Sequence, residues 1–99
     1  MIIVRDIFQI EFGKAKDVTA IWKEGFKNAK STGFSVPYRA MTDLVGNFYT
    51  FILEGTFESL SHYEKEMSST FSNQQWRDWY QKMLPYLKSG RREIYNLID

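Results

Sequence analysis

The hexapeptide Phe48-Tyr49-Thr50-Phe51-Ile52-Leu53 constrains the fold of this chain more than any other feature. As an extended segment it carries apolar side chains on both faces. It therefore needs cover on two sides and belongs in the middle of a sheet. Gly46-Asn47 just before it is a turn signal. The N-terminal segment shows a related pattern. Over residues 2–12, Ile2, Val4, Phe8, Ile10 and Phe12 share one face, interrupted by Asp6. Ile3, Arg5, Ile7, Gln9 and Glu11 share the other, and Gly13 closes the strand. Residues 35–43 predict a weaker strand whose Pro37 cannot donate to a ladder, which suits a sheet edge. Ser89-Gly90 breaks the pattern again, and residues 91–98 predict a last strand. Ile94 and Ile98 lie on one side of it, Tyr95 and Leu97 on the other.

Helical spacing fills the intervals. Ala15, Val18, Ile21, Trp22, Gly25, Phe26 and Ala29 form one stripe over residues 14–31, with Lys16, Lys23, Lys27 and Lys30 opposite. Thr32-Gly33 would close this helix. A short helix is predicted over about 57–68, with Leu60, Tyr63 and Met67 on a common face. Ser72-Asn73-Gln74-Gln75 fits a capping box with Ser72 as the N-cap. The helix that follows aligns Trp76, Trp79, Tyr80, Met83, Leu84 and Leu87 until Pro85 ends or kinks it.

The order β-α-β-β-α-α-β over 99 residues describes one α+β domain spanning residues 1–99. With the two late helices taken as one broken crossover, it is a ferredoxin-like split βαβ. Right-handed crossovers place the helices on one face of a four-stranded antiparallel sheet. Strands that are apolar on both faces then leave the second face in need of cover. Each large side chain left wet there forfeits about 1.5–3 kcal/mol. A homodimer with its sheets packed face to face, a dimeric α/β barrel, meets that need.

Charge and composition remove several function classes. Thirteen Lys and Arg against twelve Asp and Glu leave +1, so no bulk field points to nucleic acid or an anionic membrane. Without cysteine there are no disulfides and no thiolate sites, which suits a cytoplasmic location. No run reaches the ~20 apolar residues of a membrane span, and no leader segment is expected, since Arg5 and Asp6 follow Met1-Ile2-Ile3-Val4 at once. The single histidine excludes a multi-histidine metal site. There is no Gly-x-Ser-x-Gly elbow and no Gly-rich phosphate loop. No metal and no cofactor is expected, and no reaction is assigned.

Three stretches carry a resemblance. Phe8-Gln9-Ile10-Glu11-Phe12-Gly13-Lys14 is similar to the aromatic-x-aliphatic-x-Pro-Gly-Lys close of the first strand in the NIPSNAP family. Glu58-Ser59-Leu60 resembles that family's x-Ser-Leu opening of the second helical region. Ser72-Asn73-Gln74-Gln75-Trp76, with Pro85 nine residues after Trp76, resembles its Asp-Pro-Glu-Trp stretch and later Pro. The resemblance implies the dimeric α/β barrel superfamily, a homodimer and a pocket between sheet and helices. It implies little biochemistry, because NIPSNAP-like proteins share no settled activity. Related barrels include small monooxygenases, cofactor-independent or haem-dependent, of the antibiotic-biosynthesis-monooxygenase type, and these supply the alternative reading.

Trp22, Tyr49, His62, Trp76 and Arg39 are the candidates for lining a small-molecule pocket. His62 could act as a general base or haem ligand, but its helical position opposite Leu60 and Met67 suits an exposed residue. Trp22, Trp76 and Trp79 sit on helix stripes, where tryptophans are more often core than a substrate box. Arg5, Arg39, Arg91 and Arg92 could hold a carboxylate bidentately or pair across the sheet with Glu54, Glu93 or Asp6. Asp6 needs a partner wherever it is buried, and an arginine at the dimer interface could provide one. A non-catalytic dimeric module, its aromatics filling all available space, is the competing class.

Overall fold

The structure, a computed structural model, describes residues 1–31 and 38–98. The expected Thr32-Gly33 helix stop and the Pro37 edge signal lie outside the described residues. The elements run β1 (Ile2–Ile10), α1 (Ala15–Ser31), β2 (Tyr38–Thr42), β3 (Thr50–Phe57), α2 (Leu60–Phe71), α3 (Gln74–Met83), a 3-10 turn (Leu84–Tyr86) and β4 (Leu87–Asn96). The strands form one antiparallel sheet in the order β2-β3-β1-β4. This is the split βαβ, ferredoxin-like arrangement: β3 and β1 are central, β2 and β4 are edges.

The period of two in β1 sorts its side chains as expected. Val4, Ile10 and Ile2 pack with Phe51, Leu53 and Phe57 of β3 beneath the helices. From above, Val18 of α1, Tyr63 and Met67 of α2, and Trp79 and Met83 of α3 close the core. Trp79 is its keystone. Its indole donates from Nε1 to the Ile21 carbonyl at 3.1 Å, and its ring meets Trp22 edge-on at 5.3 Å. A methyl at Gly25 would overlap that ring. The absent Cβ lets α1 and α3 approach.

Several local expectations are corrected. β1 ends at Ile10, before Phe12. The chain turns where the Glu11 N–H bonds the Tyr86 carbonyl and the Lys14 N–H bonds Glu11, and Phe12 is exposed. β3 begins at Thr50, so Phe48 and Tyr49 lie in the preceding loop. On β3 the face away from the helices alternates Thr50, Ile52, Glu54 and Thr56, and so is only partly apolar. α2 runs on to Phe71 and takes Ser72 as its C-cap. The N-cap of α3 is Asn73, whose Oδ1 accepts the Trp76 N–H at 3.1 Å. β4 starts at Leu87 and passes straight through Ser89-Gly90. Gly90 is a strand residue there because it faces Phe8 across the pair: a Cβ would stand 2.8 Å from the Phe8 ring. Ile98 lies beyond the strand and is exposed.

Candidate functional site

The two faces of the sheet differ in kind. Away from the helices, a row of alternating charge crosses all four strands. Arg39 of β2 lies opposite Glu54 of β3, Glu54 opposite Arg5 of β1, and Arg5 opposite Glu93 of β4. Arg5 donates from Nε to Glu54 Oε2 at 2.7 Å, and Arg39 donates from Nε and Nη2 to Oε1. Only 5% of the Glu54 side chain is exposed, because two guanidinium groups cover it. Hydrogen bonds from Arg39, then Arg5, hold its carboxyl below the usual glutamate range. Glu93 accepts from the Tyr95 hydroxyl at 2.7 Å and from Arg91 Nε at 3.2 Å, which lowers its carboxyl as well. Beside this row, Met41, Ile52 and Ile7 form an apolar strip from β2 to β1.

Under the helices the arrangement is a cleft. Three helices cover β3 and β1, but β4 is left mostly bare. A space of about 790 Å³ remains between β4 and α3, within the roughly 300–1,000 Å³ of small-molecule sites. Its floor is Phe8, Phe51 and Leu53, and its wall is Trp76, Trp79 and Met83. Tyr38 stacks against Trp76 with ring centres 6.3 Å apart.

The cleft also holds polar groups. Arg92 donates from Nε to Asp6 Oδ1 at 2.6 Å. The oddity of an aspartate on an apolar strand face is thus resolved within one chain, by the residue directly opposite on β4, and not by an arginine across an interface. The bond to Asp6 raises the Arg92 guanidinium further. The Tyr38 hydroxyl donates to Met67 Sδ at 3.2 Å, and burial, then the nearby Asp6 charge, push it well up. Next to it the Tyr63 hydroxyl is buried without a well-formed hydrogen bond, and burial raises it too.

Of the five residues singled out in the sequence, Trp76 lines this cleft. Trp22 packs on α1 against Phe51 and Trp79, beside the cleft. Tyr49 has φ 57, an uncommon conformation for a bulky residue. Its carbonyl accepts the Ile10 N–H at 2.7 Å and its ring meets Phe12, so it anchors a loop. His62 stands in the first turn of α2, where Nδ1 accepts the Glu58 N–H at 3.4 Å and Nε2 faces Glu66. Arg39 is on the opposite sheet face with Glu54. The sequence reading passed over Tyr38, Phe8 and Lys88. Placing the last strand at 91 hid Lys88 and Gly90. The usable signal was the twofold alternation that already set Phe8 beside Asp6.

No protein-family model matches the chain, and no curated protein sequence matches it. Solved structures do. An uncharacterized NIPSNAP domain protein from Burkholderia xenovorans superposes with a TM-score of 0.83 at 15% identity, covering 99% of this chain and 95% of the other. A NIPSNAP family protein from Agrobacterium tumefaciens gives 0.81 at 18% identity, covering 99% and 93%. An antibiotic biosynthesis monooxygenase gives 0.70 at 9% identity, covering 100% of each. The chain has the ferredoxin-like fold of the NIPSNAP domain proteins, and the monooxygenase is a more distant neighbour of the same fold.

Proposed function

We propose that this chain works as a homodimeric, NIPSNAP-like barrel protein that binds a small apolar or aromatic molecule between sheet and helices. The observation that carries this reading is the cleft itself. Phe8, Phe51, Leu53 and Trp76 line a space that opens to solvent along β4 and is not filled by the chain's own aromatics. Convergent polar groups at Asp6, Arg92 and Tyr38 would orient what enters. The homodimer has separate support. Charges on the open sheet face are already paired within the chain. A second copy could therefore cover the half-buried Met41 and Ile52, beside the already buried Ile7, without leaving a buried charge unpaired. The loop before β3 adds Leu44, Val45 and Phe48, all strongly exposed. Cysteine's absence supports a cytoplasmic location, and among the described residues no helix is long and apolar enough to cross a membrane. The monooxygenase alternative finds less support, since His62 lies outside the cleft.

Thermal denaturation with a panel of haem, quinols and small aromatic acids tests the ligand reading. A ligand at 100 times its Kd stabilises by about 2.7 kcal/mol, roughly 10–20 °C in Tm for a domain of this size. A rise with one chemical class is the expected result, and a flat response to every class would overturn it.

A further inference from the structure

We infer that the ligand of the cleft is an organic anion, a small molecule with an apolar body and one acidic group such as a carboxylate. This rests on the reading that the cleft binds a ligand, and adds the sign of its charge. Three cations line the cleft, Arg77, Lys88 and Arg92, against one carboxylate, Asp6; Arg91, next along β4, is directed to the opposite sheet face and pairs there with Glu93. The whole chain carries only +1. A surplus of two positive charges is therefore local to this cleft and is offset elsewhere on the molecule.

The cations differ in how far they are already neutralised. Arg92 pairs with Asp6 through Nε, and that is its one hydrogen bond among the described residues. Its guanidinium lies over the Tyr63 ring at 5.8 Å, and its Nη groups make no hydrogen bond among the described residues, which leaves them to donate to a carboxylate. Lys88 lies over the Phe12 ring at 5.1 Å and pairs with no acid among the described residues. Arg77 donates to the neutral Gln74 amide oxygen at 2.8 Å. Two unneutralised cations and half of a third thus ring an aromatic slot. A neutral ligand would leave this field unused, and a cation would meet repulsion from it. An anion with an aromatic body would place its rings against Trp76 and Phe8 and its charge at the rim. The surrounding low dielectric strengthens that attraction over its value in water.

Two fluorescent probes that share their ring system separate body from charge: anilinonaphthalene sulfonate, and phenylnaphthylamine, which lacks the sulfonate. The anionic probe is expected to bind about tenfold tighter at 50 mM salt and to lose most of that advantage at 500 mM. Lys88→Gln with Arg77→Gln changes only exposed residues. It should weaken the anionic probe about tenfold and leave the neutral probe unchanged. Asp6→Asn with Arg92→Gln removes the Arg92 donors together with its partner's charge, leaves the net charge of the cleft unchanged, and should weaken the anionic probe less than the first double variant does. Binding should shift the indole N–H resonance of Trp76 and spare that of Trp22. Equal affinity for both probes, indifference of the anionic probe to these variants, or shifts away from Trp76 would overturn the inference while leaving a ligand cleft. Failure of both probes to bind would remove the ligand reading itself.

Discussion

Glu54 shows how one residue on this sheet depends on its neighbours. Its carboxylate is nearly inaccessible, yet it stands on the face that no helix covers. Arg39 and Arg5 hold its pKa below the ordinary value of 4.5. A depressed carboxyl stabilises the fold fully above its unfolded pKa, and that contribution is lost as pH falls through the folded value. Glu54→Gln should therefore cost about 1.5–3 kcal/mol at pH 7, the range for a hydrogen bond to a charged group. The gap between variant and wild type should close as pH drops below about 4.5. Urea denaturation at pH 7, 5 and 3.5 measures it, and a gap that stays constant with pH would contradict the pairing. Asp6 and Arg92 form the second such pair, on the other face. Here the sequence was informative: an aspartate among Ile2, Val4, Phe8 and Ile10 demanded a partner, and arginines on strands were the available ones. Which arginine, and from which copy, depended on a register that only the paired β4 defines.

The elements themselves were legible where periodicity was long and clean. α1 emerged from the stripe of Val18, Ile21, Trp22 and Gly25, and the centrality of β3 from its apolar run. Boundaries failed where two signals competed. Ser72 and Asn73 are both good N-caps. Ser72 lost because α2 extends one turn further and uses its N–H to close on Ser68. Asn73→Ala should then cost about 1 kcal/mol, whereas Ser72→Ala should stay within roughly 0.5 kcal/mol. Equal costs in thermal or urea denaturation would argue for the capping box instead. Gly90 failed in the same way: a glycine in a sequence reads as a stop, but the Phe8 ring that requires it is more than eighty positions earlier. The cleft was lost with it. With β4 started too late, the strand that forms one wall carried none of its cleft residues before Arg92.

At the scale of the molecule, a sheet with helices on one face has two surfaces with different fates. Helices cover β3 and β1 and stop short of β4, which creates the cleft. The opposite face shows why sequence pattern alone overstated its hydrophobicity. Arg39, Glu54, Arg5 and Glu93 read as interruptions along each strand, and become one neutralised row once the strands are side by side. What remains there is Met41 and Ile52 beside the buried Ile7, and the loop before β3 separately exposes Leu44, Val45 and Phe48. In the proposed homodimer, burying that strip against its own copy would turn a half-covered sheet into a barrel and leave the cleft as the remaining opening. The measurement closest to this claim is the molar mass from light scattering at about 50 µM, well above the dissociation constant of a stable homodimer. The result expected is twice the chain mass of 11.8 kDa. A species of 11.8 kDa at that concentration would contradict it.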